Sequence, residues 1–189
     1  MKKKINVNLG SGNNIVKGWI NIDVVRPDNA DKDFRIGDAL NIPLESGTVD
    51  YILLDQVLEH MAMADVVPVL YEIRRVLKKG GRCVIIVPDF EDAVQSWLKY
   101  NTGGSFNPLT YQYFSEVVYG NQLHEGEFHK TPMSPMFLNY ALNTAGLVKK
   151  QLVMFPTDSP VPQFPGVRPS PPGARCRNAQ LVCDIIKTS

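Results

Sequence analysis

Cysteine is scarce in this chain of 189 residues. The three present, Cys83, Cys176 and Cys183, are an odd number with no C-x-x-C spacing. That excludes a disulfide framework and a paired-thiol zinc motif, and it fits a reduced, cytoplasmic setting. Charge of one sign is lacking too: 20 Lys and Arg against 19 Asp and Glu leave a formal +1, so no broad field draws the chain to nucleic acid or an anionic membrane. No uninterrupted apolar stretch approaches the roughly 18 residues of a membrane span, and none follows Lys2-Lys3-Lys4, so neither export nor anchoring is expected. Internal repeats, a Gly-x-Gly-x-x-Gly loop and a Tyr-x-x-x-Lys pair are all absent. The last absence, with the short first crossover between Gly10 and Asp23, disfavours a nicotinamide-dependent oxidoreductase.

What is present has the length of one domain, 1–189, with enough chain to bury a sizeable core. Ile5, Val7 and Leu9 alternate with polar residues and run into Gly10-Ser11-Gly12, which reads as a first strand ending in a ligand-binding turn. Glycine there accepts positive φ and lets a ligand approach the backbone, whose N–H groups become donors for an anionic group. Trp19 to Val24 alternates again and ends near an acid, Asp23. Only thirteen positions separate Gly10 from Asp23, against about 20 in a dinucleotide fingerprint, so the first crossover has little room for a helix. Asp33 to Asp38 reads as a short third strand with a second terminal acid, and Val49 to Asp55 as an apolar strand covered on both faces.

Downstream, strands and helices alternate. Asp65 is the expected cap of a helix with Val66, Val69, Leu70, Ile73 and Val76 on one face, Pro68 in its first turn, and Lys78, Lys79 and Gly80 closing it. Arg74-Arg75 reads as its solvated face. A strand is expected over Arg82 to Pro88, then a helix capped by Asp89, a helix opened by Asn107-Pro108 and stopped at Gly120, and a helix opened by Ser134-Pro135 and ended at Gly146. Two last strands, Leu147 to Phe155 and Gln180 to Ile186, flank a segment, 156–173, that holds seven of the fourteen prolines and so reads as an extended loop. The alternation predicts an α/β fold, a doubly wound and mostly parallel sheet.

These features in this order resemble the class I S-adenosylmethionine-dependent methyltransferases, in particular small members associated with sugar or polysaccharide metabolism. The resemblance rests on Val7-Asn8-Leu9-Gly10-Ser11-Gly12, Gly18 to Asp23, Gly37-Asp38-Ala39, Asp55-Gln56-Val57-Leu58-Glu59-His60 and Arg75-Val76-Leu77-Lys78-Lys79-Gly80-Gly81. It implies a Rossmann-like, seven-stranded sheet with one antiparallel strand and helices on both faces. It implies S-adenosylmethionine as cofactor, with Gly10, Ser11 and Gly12 at its methionine part and Asp23 on the ribose hydroxyls. Asp38 would take the adenine amino group beside Ala39 and Leu40, and Asp55, Gln56 and Val57 would line the sulfonium end. As residues alone, Asp23 and Asp38 are equally able to cap turns at strand ends, and Glu59-His60 to start a helix.

Removal of a proton from a hydroxyl acceptor calls for a base, and His124 and His129 lie in a polar loop; His129 is the candidate base or substrate contact. A metal is not expected, because the i, i+3, i+5 spacing of His124, Glu127 and His129 is no known zinc arrangement. The expected activity is methyl transfer (EC 2.1.1.-) to a small polar molecule, a sugar or sugar-nucleotide hydroxyl. The competing reading is a non-catalytic S-adenosylmethionine-binding partner protein. Nucleic acid is disfavoured as substrate by the weak charge and the absence of an Asn/Asp-Pro-Pro-Tyr signature.

Overall fold

A computed structural model of the chain describes residues 4–101, 103–123, 125–155 and 180–188, with backbone only for Glu125 and residues 153–155. The 156–173 loop falls outside the described residues. Seven strands form one sheet: β1 (Asn6–Leu9), β2 (Ile20–Asp23), β3 (Phe34–Ile36), β4 (Val49–Asp55), β5 (Leu77–Pro88), β6 (Val148–Phe155) and β7 (Gln180–Ile186). Their order is 3-2-1-4-5-7-6, and β7 runs antiparallel between β5 and β6. Among the described residues four α-helices accompany them: α1 (Met63–Val76), α2 (Phe90–Tyr100), α3 (Pro108–Tyr119) and α4 (Pro135–Thr144).

The pleat sorts the strands into two faces. Val7, Leu9, Ile52, Leu54, Cys83, Ile85, Leu181 and Ile185 join the buried stripes of α1 (Val66, Val69, Leu70, Ile73, Val76) and α4 (Leu138, Ala141, Leu142) in the main core. The opposite face carries Leu53, Val84, Ile86 and Val182 under Trp19, with Val16 and Tyr51 at the margin. No helix crosses from β1 to β2. That crossover is fastened by a buried pair of asparagines from neighbouring strands, Asn8 and Asn21. The Asn8 amide donates to Asn14 O (2.7 Å) and Asn21 Oδ1 (3.1 Å), and Asn21 exchanges bonds with the Val16 backbone (2.8 and 3.1 Å). Buried amides satisfied in this way replace a helix with a short chain held at fixed points.

Three helix starts follow the local chemistry. Asp89, Asn107 and Ser134 each accept from N–H groups of the first turn, and Pro108 and Pro135 take the first helical positions. The start of α1 differs from expectation. Ala62 stands at its N-cap with no side-chain bond, Asp65 lies inside the first turn, and Pro68 sits in the helix interior. Its end differs as well. Leu77 turns extended to pair with Val49, so β5 begins at Leu77, and Gly80 N–H donates to Lys187 O in place of a helix carbonyl.

One member of each basic pair is tied down. Lys78 Nζ reaches Asp50 Oδ2 at 2.7 Å. Arg75 grips Glu72 with two bonds of 2.7 Å and donates to Ile42 O and Leu44 O at 2.9 Å, while Glu72 accepts from Ile42 N–H at 3.0 Å. This clamp fixes the loop after β3 to α1. Arg75→Ala strands those carbonyls and is expected to cost about 2 kcal/mol, which lowers Tm by roughly 4–8 °C for a chain of this size. The guanidinium of Arg75 holds the Glu72 carboxyl below its ordinary 4.5. The ion pair's contribution is therefore complete above that value and is lost as pH falls through the depressed folded value, so the gap between thermal scans of wild type and variant should narrow in acid to the part set by the Ile42 and Leu44 carbonyls.

Candidate functional site

Strand order reverses between β1 and β4, and the carboxyl ends of β1 to β4 open there into a cleft of about 620 Å³. Open parallel sheets bind ligands at such a point, and the volume is that of a small-molecule site. Asp23 and Asp38 offer carboxylates at the cleft, and Val24, Val25, Pro27, Ala39, Val57 and Met61 give it apolar walls. Val24 and Val25 are 63% and 70% exposed, apolar surface that a flat ligand would cover.

Gly10, Gly12, Asp23, Asp38, Ala39, Gln56 and Val57, all marked in the sequence, come together on this cleft. Ser11 and Asp55 lie just behind it, lining with Asn8, Gly10 and Asn14 a small cavity of about 20 Å³, room for one water-sized polar group. Within that recess the Ser11 hydroxyl is buried and has no hydrogen-bond partner.

The glycine turn works differently from expectation. Gly10 and Ser11 N–H both donate to Ile22 O (2.8 and 3.0 Å), and Gly12 N–H donates to Asp23 Oδ2 (2.7 Å). Those donors hold the turn against β2 and are not spare for an anion. Gly10 is required by packing: a Cβ there would lie 2.5 Å from Val57 Cγ2. Both acids also close turns, Asp23 accepting from Val25 N–H (3.3 Å) and Asp38 from Leu40 N–H (2.9 Å). A carboxylate has about four acceptor sites, so each keeps capacity toward the cleft. One cleft residue is strained. Gln56 holds φ +58 with its N–H on Ile86 O at 2.9 Å, a departure that sequence does not disclose.

The far rim is built by a 3₁₀ turn, Leu58–His60, and by the irregular stretch 128–131 bonded to it. Lys130 and Thr131 N–H donate to Glu59 O (2.7 and 3.1 Å), and Thr131 Oγ1 donates to Met61 O (2.7 Å). His60 lines the cleft; His129 stands behind it with ring centroids 4.9 Å apart. His60 Nδ1 lies 3.1 Å from Phe128 O and His129 Nδ1 2.8 Å from Val117 O. Burial lowers the His60 pKa and favours the neutral ring. Between them Glu59 is 1% exposed, with neither carboxylate oxygen bonded to another residue. Burial, aided by the charge of Asp55, pushes its pKa up to about 8. His124 falls outside the described residues, and the ligand-type cluster the fold assembles is Glu59, His60 and His129. The aromatics Tyr111 and Tyr119 on α3 are exposed.

Residues 17–85 match the family described as "Methyltransferase domain". Across nearly the whole chain the backbone superposes on solved methyltransferases. A S-adenosylmethionine-dependent methyltransferase of Methanosarcina mazei is 13% identical, with 99% of this chain and 94% of that one covered and a TM-score of 0.63. The 1,6-didemethyltoxoflavin-N1-methyltransferase of Burkholderia thailandensis, solved with 1,6-didemethyltoxoflavin and S-adenosylhomocysteine, is 14% identical, covered at 100% and 72%, with a TM-score of 0.58. The fold is a class I methyltransferase fold. In sequence, a 37.1 kDa protein of a Streptomyces fradiae transposon is 44% identical over 57 residues, 30% of this chain but 16% of that relative. Among the described residues no helix of the methyltransferase fold is long and apolar enough to cross a membrane.

Proposed function

We propose that this chain is an S-adenosylmethionine-dependent methyltransferase whose acceptor is a small polar molecule, a hydroxyl of a sugar or sugar nucleotide being the reading the sequence resemblance favours. The observation that carries it is the cleft: two carboxylates at the ends of successive strands, apolar walls between them, and a buried polar recess behind. An adenosine fits the first two, and the third has room for one polar group of the cofactor's amino-acid end. Asp23 would accept from the ribose hydroxyls, Asp38 from the adenine amino group beside Ala39, and the unpartnered Ser11 hydroxyl with Asp55 would meet the methionine end.

When bound, S-adenosylmethionine supplies an electrophilic methyl group on a sulfonium. The chain's own task is to hold the acceptor in line with it and to take up a proton. A backbone carbonyl only accepts, so His60 and His129 carry their proton on Nδ1 and present Nε2 as a lone pair. His60 can bond an acceptor in the cleft, and His129 is the base or substrate contact next to it.

Calorimetric titration with S-adenosylmethionine, S-adenosylhomocysteine and NADH tests the reading. Saturable one-to-one binding of the first two and none of the third is expected. Absence of binding by folded protein free of carried-over ligand would overturn it. Transfer of labelled methyl to a sugar panel then separates an enzyme from a non-catalytic binding subunit.

A further inference from the structure

We propose that Glu59, His60 and His129 form a binding site for a first-row divalent cation, zinc being the expected occupant, at the acceptor side of the cleft. One donor atom from each lies within 4.8 Å of the others. Ligands around a tetrahedral zinc at about 2.1 Å stand about 3.4 Å apart, so binding would draw the three donors together by side-chain rotation.

Three further observations point to a ligand. Each imidazole gives its Nδ1 proton to a main-chain carbonyl, Phe128 O for His60 and Val117 O for His129. Metal-bound histidines are oriented in this way, with Nε2 left as the lone pair. The Glu59 carboxylate is buried and meets no hydrogen-bond donor from another residue. A buried carboxylate is ordinarily paired or bonded, and a cation is the partner that two neutral imidazoles and one carboxylate are suited to hold. Finally, the cluster is built from segments far apart in the chain and locked together through Glu59 O, which accepts from both Lys130 and Thr131. Two nitrogen donors and one oxygen select a borderline cation such as zinc over magnesium, which prefers oxygen alone.

Three protein ligands leave a zinc with an open position. His60 is the member that lines the cleft, so that position would take an oxygen of the acceptor; this second step rests on the methyltransferase reading. A cation there polarises a bound hydroxyl and lowers its pKa, so that the proton passes to solvent water and no histidine base is needed once the two Nε2 lone pairs are on the metal.

The test uses full-length protein stripped with chelator and dialysed metal-free, then titrated with Zn²⁺ against a competing indicator, with Mg²⁺ as the contrast. One Zn²⁺ per chain at micromolar affinity or tighter is expected. His60→Ala, His129→Ala and Glu59→Gln should each weaken it by more than about 100-fold, beyond the loss that follows removal of a mere orienting partner. Cobalt substituted for zinc should give the intense visible bands of a four-coordinate site with nitrogen ligands. Failure of folded wild-type protein to bind stoichiometric Zn²⁺ overturns the proposal without recourse to any variant, and so does binding that all three variants retain. S-adenosylhomocysteine titration of the same metal-free protein keeps the two readings separate: cofactor binding without zinc binding sinks the metal site alone, and zinc binding without cofactor binding sinks the methyltransferase reading alone.

Discussion

Asp23→Ala is expected to weaken S-adenosylhomocysteine binding by about 100-fold or more. Two charge-assisted bonds to a ribose, at about 1.5–3 kcal/mol each, convert to at least that factor. The same carboxylate accepts from Gly12 N–H at 2.7 Å and Val25 N–H at 3.3 Å, so the variant also loosens the turn after β1. The two effects separate by measurement. Loss of these two bonds at an exposed turn costs about 1–2 kcal/mol of stability, below the binding change. Urea unfolding should show that small loss while calorimetry shows the large one. Asp23→Asn sharpens the test, because an amide has one acceptor oxygen and turns its NH₂ toward a backbone donor. It should hold Gly12 and still bind poorly. Asp38→Ala should cost about tenfold, one bond's worth. A stability loss that matches the binding loss in Asp23→Ala would make the residue a turn cap and no more.

Local chemistry made much of the frame legible. β4 and β7 end where their apolar runs end, and Asp89, Asn107 and Ser134 cap the helices that follow them. These signals lie within a few residues of what they determine. Where a distant partner decides, local reading fails. Lys78-Lys79-Gly80 has every mark of a helix end, yet Val49 draws Leu77 into the sheet and Lys187 O takes the Gly80 N–H. Arg75 looks solvated along α1 and is engaged by two carbonyls from a loop more than 30 positions earlier. Asn8 and Asn21 alternate like solvent-facing strand residues, and only their pairing across β1 and β2 reveals a buried staple. Gly10 lines the cleft, and it also makes room for Val57, a contact that no local pattern announces. In the candidate site the acids at strand ends were readable because their position follows from the strand pattern. The Glu59, His60 and His129 cluster was not, since His129 enters it through its own bonds to Tyr119 and Val117 and through those of Lys130 and Thr131 to Glu59, which no spacing encodes.

Gly120→Ala should cost on the order of 3 kcal/mol or more and dismantle the His60 rim of the cleft. The residue caps α3 with φ +77 and ψ 177, a region open essentially to glycine and worth about 1–3 kcal/mol of strain for any other residue. A Cβ there would fall 1.7 Å from Glu127 O and 3.1 Å from His129 Cδ2. Backbone cannot yield as a flexible side chain can, so residues 127–129 would have to leave the end of α3. His129 would then lose both of its anchors, its N–H on Tyr119 O at 3.1 Å and its Nδ1 on Val117 O at 2.8 Å. Gly12 supplies the contrast within the same fold. Its φ is +47, a left-handed value that other residues reach at about 1–2 kcal/mol, and nothing lies within 4 Å of a Cβ built there. Gly12→Ala should therefore cost less than Gly120→Ala in urea unfolding. The His60 and His129 ring signals should keep their mutual contact in the first variant and lose it in the second. Equal losses in the two variants would mean that φ strain alone sets the cost, and that the seat of His129 on α3 gives way without penalty.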